Sequence, residues 1–249
     1  MRRIFLTIEY DGTPFVGWQR QINGMSVQQV IEEAATSMMQ EEALVQGAGR
    51  TDSGVHATGQ VAHIDVPDKF TANRVQEAIN ALIGEWPVSI IAAREVSAES
   101  HARFSAISRS YLYRILPRRQ PPALDQGRVW HHRQPLDPAL MNEGAKHLIG
   151  THDFTSFRAT QCQADSPVRT MDDLRVEQVG EEIHIHAGAR SFLHHQIRNI
   201  TGTLALVGMG KWTPDDVATA LAARDRAAAG PKAPPEGLYL TAVGYPAAL

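Results

Sequence analysis

The chain has a single cysteine, Cys162, in 249 residues. One thiol excludes an intrachain disulfide and any metal site built on clustered cysteines, and it fits a reducing cytoplasm. Long apolar runs are missing too. In Met1–Tyr10 two arginines precede a short apolar stretch, with Glu9 and Asp11 close behind. A signal-peptide core and a membrane span are therefore not expected. No GxxxxGK[ST] phosphate loop is present, since Gly12 and Gly17 flank an Asp-Gly turn. A strong excess of one charge is also lacking. Against 24 Lys and Arg stand 27 Asp and Glu, a net charge of -3, so the basic footprint of a nucleic-acid binder does not show in the total. It does show locally. Arg94, Arg103, Arg109, Arg114, Arg118, Arg119, Arg128 and Arg133 share one segment with only Glu95, Glu99 and Asp125. That stripe reads either as a phosphate-contacting surface or as scattered solvated arginines.

What is there is ordinary globular material, 43% hydrophobic and 20% charged, enough for one large domain or two small ones. Arg3 to Tyr10 alternates as a strand. Ser26 and Gln29 form a capping box before a helical stripe of Val27, Val30, Ile31, Ala34, Ala35 and Met38. Ala43–Ala48 and Val61–Val66 are strand candidates. Thr71 caps a helix carrying Val75, Ala78, Ile79 and Leu82, and Val88–Val96 closes the set. The order is βαββαβ, the split-βαβ or ferredoxin-like arrangement. The second half repeats it in element order, with strands at Arg109–Leu116, Met171–Val179, Glu182–Ala189 and Leu238–Tyr245. Its helices run from Asp137-Pro138 and over Phe192–Gly208, and Pro214–Ala223 is an extra one. The expected fold is α+β, two ferredoxin-like halves at 1–105 and 106–249 with antiparallel sheets and a ligand cleft between them. Arg226–Gly237, rich in Ala, Pro and Gly, reads as a mobile loop.

Chemistry concentrates in Gly47-Ala48-Gly49-Arg50-Thr51-Asp52-Ser53-Gly54-Val55-His56-Ala57. Three glycines permit a tight loop that approaches a ligand closely. Arg50 favours the ionised form of a nearby carboxylate, and a positioned carboxylate serves as nucleophile or base. From local sequence alone the segment reads equally well as a hairpin with Asp52 as a turn residue. His56 is expected to orient the loop through a local hydrogen bond.

Gly49-Arg50-Thr51-Asp52-Ser53-Gly54-Val55-His56-Ala57-Thr58-Gly59-Gln60 closely resembles the signature of the tRNA pseudouridine synthase A (TruA) family. The likeness continues through Ile8–Gly12 and Gly17–Gln21, then His101–Ala106 with Arg109–Tyr113. His152–Arg158, Phe192–Ile200 and Glu236–Leu240 extend it. The resemblance implies the pseudouridine synthase fold and the conversion of uridine to pseudouridine at positions 38, 39 and 40 of the tRNA anticodon arm. It also implies a homodimer with neither metal nor organic cofactor. By motif, Asp52 matches the catalytic aspartate, Arg198 and Arg50 its basic partners, Tyr111 the tyrosine that packs on the target base, and Leu238 an apolar wall. Read without the family, Tyr111 and Leu238 are core residues and Arg198 a surface ion-pair former. Arg103, Arg109, Arg114 and Arg158 are candidate phosphate contacts.

Two other functions fit parts of the sequence. A non-catalytic RNA-binding protein on paired ferredoxin-like sheets has no use for an Arg-Thr-Asp in a glycine loop. A metal-dependent hydrolase would enlist Asp52 and His56. Among the 11 histidines, His184 and His186 share a strand face but lack a third ligand at suitable spacing, and no metal site is expected. His194 and His195 are expected on a helix, facing different sides. Trp18, Trp86, Trp130 and Trp212 are read as packing residues.

Overall fold

The computed structural model describes residues 1–247. Its elements in chain order are β1 (Arg2–Tyr10), α1 (Val27–Met39), β2 (Val45–Gly47), β3 (His56–Val66), α2 (Ala72–Leu82) and β4 (Val88–Val96). Then come β5 (Ser108–Pro117), β6 (Trp130–His132), α3 (Pro138–Lys146), β7 (Gly150–Asp153), β8 (Val168–Val179) and β9 (Glu182–Ala189). The chain continues through α4 (Gln196–Gly208) and α5 (Pro214–Ala223) to β10 (Leu238–Gly244). The fold is thus mixed α and β with mostly antiparallel pairing. No described helix is long and apolar enough to cross a membrane. Two compact units are present: Met1–Arg109 together with the chain from Tyr239 onward, and Ser110–Leu238. Residues 248 and 249, the end of the expected second half, lie outside the described residues.

In the first unit β1 is central, antiparallel to β3 on one side and to β4 on the other. The two ends of β3 take different partners. β2 pairs antiparallel with Ala62–Ile64, and β10 pairs in parallel at Tyr239↔His56 and Leu240↔Ala57. The helices follow their sequence signals. The Ser26 side chain accepts from the Gln29 N–H, and Thr71 accepts from Arg74, which satisfies donors that a helix start leaves open. Val27, Val30, Ile31, Ala34 and Ala35 form the buried stripe of α1 as expected, but the methionine that completes it is Met39.

In the second unit the strand order is β5-β9-β8-β7, with β6 beside β5. Asp137 caps α3 by accepting from Ala139 and Leu140, and Pro138 occupies its first turn. Thr213 and Asp216 form a reciprocal capping box on α5. The helix expected over Phe192–Gly208 starts later, at Gln196, because His195 adopts a left-handed conformation (φ 63°). His194 and His195 therefore precede the helix. Their rings lie together, centroids 3.8 Å apart, instead of facing different sides. The segment expected to be mobile contains two 3-10 turns, Arg226–Ala228 and Pro235–Gly237, and buries Gly230 and Ala233.

Candidate active site

Asp52 stands in the turn before β3, half-buried, and its backbone bridges Gly17. The segment after β1 clamps this turn from behind. Trp18 N–H donates to the Thr51 carbonyl at 3.1 Å, the Ser53 hydroxyl donates to the Phe15 carbonyl at 3.1 Å, and Val55 N–H closes the turn on the Asp52 carbonyl at 3.1 Å. Beneath it, the Tyr10 and Thr51 hydroxyls share a buried hydrogen bond of 2.8 Å. Two glycines make the approach possible. A Cβ on Gly12 would overlap the Val55 carbonyl, and one on Gly17 would stand 2.6 Å from the Thr51 oxygen, at a φ of +119° that side chains avoid. Gly54, with φ 76°, completes the turn.

His56 anchors the same arrangement. Its ring is buried, accepts the Gly12 N–H at Nδ1 (3.0 Å) and stacks on Tyr239 at 4.7 Å. The Asp11 carboxylate lies 3.2 Å from the same ring nitrogen. The role is the local hydrogen bond expected for it. Gln60, fully buried, donates from its side chain to the Gly49 carbonyl at 3.0 Å and holds the other side of the loop. Arg50 is exposed. The whole device presents one carboxylate on a loop whose backbone is bonded on three sides, the kind of pre-set geometry that chemistry at a fixed point requires. Gly12, Gly17 and Tyr10 were not expected as parts of it. The signal was present in the glycine spacing of the Asp-Gly turn, but its target lies some forty residues downstream.

In the second unit Arg198 is 7% exposed on the first turn of α4. Its Nε donates to the Ala233 carbonyl at 2.9 Å, and its own carbonyl accepts from Ala233 N–H at 3.0 Å. It is not the surface arginine that a family-free reading gives. Tyr113, fully buried, donates to the Pro234 carbonyl at 2.7 Å. Burial pushes its phenol well above the usual range, the Glu236 carboxylate adds to this, and the Arg198 charge opposes it. Tyr111 is only half-buried and meets Phe192 edge to face, centroids 5.1 Å apart. It is therefore not a sealed core tyrosine. Leu238 is 6% exposed.

The four candidate phosphate arginines separate into two kinds. Arg109 is buried, and its guanidinium donates to the Ala48 carbonyl (2.8 Å), the Arg103 carbonyl (2.9 Å) and the Ala106 carbonyl (3.5 Å). Arg114 grips both oxygens of Glu182, at 2.8 and 2.7 Å, and reaches Asp125. Both are committed inside the fold. Arg103 is exposed with its guanidinium over the exposed Phe104 ring, and Arg158 is half-buried. His184 and His186 are occupied by Glu182 and Glu177 respectively, each at 2.9 Å.

A large hollow of about 710 Å³ flanks α1, lined among others by Arg20, Glu32, Glu33 and Glu42. Size alone favours it as a ligand site. Its lining holds none of the expected site residues, and the buried Glu32 carboxylate is already satisfied by Arg20, Gln28 and the Val45 N–H.

The chain matches the family model described as tRNA pseudouridine synthase over residues 6–105 and 145–246. It is 57% identical over 246 residues to the tRNA pseudouridine synthase A of Rhodospirillum rubrum, covering 99% of this chain and 88% of that protein. To the protein of the same name from Rhodospirillum centenum it is 57% identical over 98% of this chain and all of that one. The Zymomonas mobilis protein of that name is 53% identical, with 98% and 100% covered. Among solved structures, a chain from the crystal structure of a Cbf5-Nop10-Gar1 complex aligns at TM-score 0.39 and 11% identity, over 96% of this chain and 49% of its own.

Proposed function

The chain belongs to the tRNA pseudouridine synthase family, an isomerase family, and from that premise we propose that it converts uridine to pseudouridine at positions 38, 39 and 40 of the tRNA anticodon arm, with Asp52 as the catalytic carboxylate. The observation that carries the proposal is the clamped turn at Asp52, whose backbone is bonded to Gly17, Trp18 and Phe15. A turn residue of no function needs no such backing.

The reaction breaks the C1′–N1 bond of uridine, turns the detached uracil and joins it to the ribose through C5. The hydrogen on C5 leaves to water. Electrons and heavy atoms balance within the nucleotide, so the proposed reaction uses no metal and no organic cofactor. Asp52 acts on the ribose, at C1′ as nucleophile or at C2′ as base, and both routes start from its ionised form. The base must first leave its stack, at roughly a few kcal/mol. Tyr111, half-buried with Phe192 supporting its ring, is the proposed platform, and stacking on such a base contributes about 1–3 kcal/mol. Arg198, almost buried and oriented by Ala233, is the proposed cationic partner of the substrate site. Arg50 is a second, and Leu238 supplies apolar surface. Arg103 and Arg158 contact phosphate. The protein works in the cytoplasm as a homodimer.

The test uses tRNA carrying uridine tritiated at C5. The protein releases label to water without added cofactor. Asp52→Asn abolishes release and leaves tRNA affinity within a few-fold. Release by Asp52→Asn at an undiminished rate removes the carboxylate from the mechanism.

A further inference from the structure

In the first unit, the turn from His101 to Ser105 is bonded at every amide. His101 N–H donates to the Ser105 hydroxyl (3.0 Å), and Ser105 N–H returns to the His101 carbonyl (2.9 Å). Ala102 N–H donates to the buried His63 ring at 3.2 Å. The N–H groups of Arg103 and Phe104 both donate to His101 Nδ1, at 3.1 and 3.4 Å, and His101 Nε2 lies 2.9 Å from Gln46 Oε1 on β2. The carbonyls are held as well. That of Ala102 accepts from the Tyr245 hydroxyl at 2.6 Å, and that of Arg103 accepts from Arg109 Nη2 at 2.9 Å. The same Arg109 nitrogen donates to the Ala48 carbonyl at 2.8 Å. Ala48 leads directly into the Asp52 loop, so this turn and that loop share one frame.

One side chain of the turn stands outside the fold. Phe104 is 73% exposed. Its ring rests against His101, centroids 4.4 Å apart, and His101 meets His63 edge-on at 4.6 Å. The Arg103 guanidinium stands over the Phe104 ring at 5.5 Å. Among the described Phe, Tyr and Trp residues only Trp86 is also exposed, and it leans on the buried Phe15 at 5.4 Å. The setting of Phe104 is cationic. Burial first, then the charges of Arg3 and Arg103, hold the His101 ring below its usual range. An open aromatic ring beside a guanidinium matches an unpaired nucleobase and its phosphate: every base has a face to stack, and the cation meets the backbone. A ring already fixed by its turn loses little freedom on binding.

We propose that Phe104, with Arg103 beside it, is a stacking platform for an unpaired nucleobase of the RNA other than the uridine that reacts. This rests on the reading of the protein as a tRNA-modifying enzyme, in which Tyr111 serves the reacting base. Ala48 and Asp52, four residues apart, are separated by at most about 14 Å. The Arg109 bridge therefore sets the platform near the carboxylate, at a distance fixed by hydrogen bonds and not by a free loop. A second base held there fixes the register in which the strand is presented.

tRNA binding is measured against KCl concentration for the full chain and for Phe104→Ala, Phe104→Leu, Phe104→Trp and Leu124→Ala, Leu124 being another exposed apolar side chain. Phe104→Ala and Phe104→Leu weaken binding roughly ten-fold. The slope of log K against log salt holds in both, because lost stacking releases no counterion. Phe104→Trp keeps the affinity, and Leu124→Ala leaves it alone. Inorganic polyphosphate, which carries charge without bases, binds the unaltered chain and Phe104→Ala equally. The urea midpoint of Phe104→Ala is unaltered, since the ring is exposed. Undiminished tRNA affinity in Phe104→Ala overturns the proposal, as does an equal loss in Leu124→Ala, an equal loss of polyphosphate binding, or a fall in midpoint that accounts for the weaker binding. A change of sedimentation in Phe104→Ala with tRNA affinity intact would make the ring a protein contact instead. Failure of the enzymatic reading is a separate result, the absence of tritium release from the unaltered protein.

Discussion

Gly12 has no room for a side chain, because the Val55 carbonyl occupies the place a Cβ would take. The neighbour is backbone in the turn that carries Asp52, so it cannot rotate away. Gly12→Ala must push that turn aside, at about 1–3 kcal/mol. We expect a lowered urea midpoint and a drop in tritium release larger than the stability loss explains. An active variant of unaltered midpoint would show that the turn tolerates displacement. His63 gives a second test at this scale. Its ring is buried, accepts the Ala102 N–H at Nδ1 (3.2 Å) and meets His101 edge-on. Burial first, then the charges of His101 and Arg3, push it down to about 4, against a weaker pull from Asp65. Between pH 6.5 and 4 the unfolded chain binds a proton that the folded ring refuses. The stabilisation is therefore complete above pH 6.5 and is lost as pH falls through about 4, a change on the order of 2 kcal/mol. The urea midpoint at pH 5 should fall below that at pH 7, and His63→Gln, which keeps an acceptor, should shrink the difference. An equal pH response in that variant assigns it elsewhere.

At the scale of elements, Gly202 opposes two effects. Alanine in a helix interior is worth about 1 kcal/mol over glycine, but here its Cβ would overlap the Pro231 carbonyl. Backbone overlap outweighs propensity. Gly202→Ala should destabilise the protein and raise amide exchange over Arg226–Gly237, and a stabilised variant with unaltered exchange would refute this. The case also shows why the sequence misleads at that segment. Ala, Pro and Gly suggest looseness when each residue is taken alone, while the hydrogen bonds that pin the segment come from α4 and only folding brings them near. Helices were legible where a local cap announced them, at Ser26, Thr71 and Asp137. The start of α4 was not, since apolar periodicity does not reveal a left-handed residue at His195. β6 and β7, of three and four residues, are too short for alternation to register. The turn at Asp52 was legible through its own glycines, its backing by Gly12 and Gly17 was not, and Arg109 looked like any other arginine of a basic stripe.

For the whole molecule, a net charge of -3 means that attraction to RNA must come from a few placed cations. Replacing Arg103 or Arg158 by Gln should weaken tRNA binding and flatten its salt dependence by about 0.7–0.9 per contact removed. Arg109→Gln should behave differently. It strands the Ala48, Arg103 and Ala106 carbonyls, so stability falls on the order of 2 kcal/mol while the salt slope of the folded protein holds. A flattened slope in Arg109→Gln, with stability retained, would make it a phosphate contact after all.

The parallel pairing of β10 with β3 has a consequence for synthesis. His56 pairs with Tyr239 and stacks on its ring, and Ala57, already paired with Tyr10, gains Leu240 on its other side. The ribosome makes the Asp52 turn early, yet the neighbouring end of β3 stays unfinished until Tyr239 and Leu240 emerge some 180 residues later. A polypeptide terminated before Tyr239 lacks the ring that presses on the histidine behind Gly12, so prematurely ended chains are left without a properly seated carboxylate.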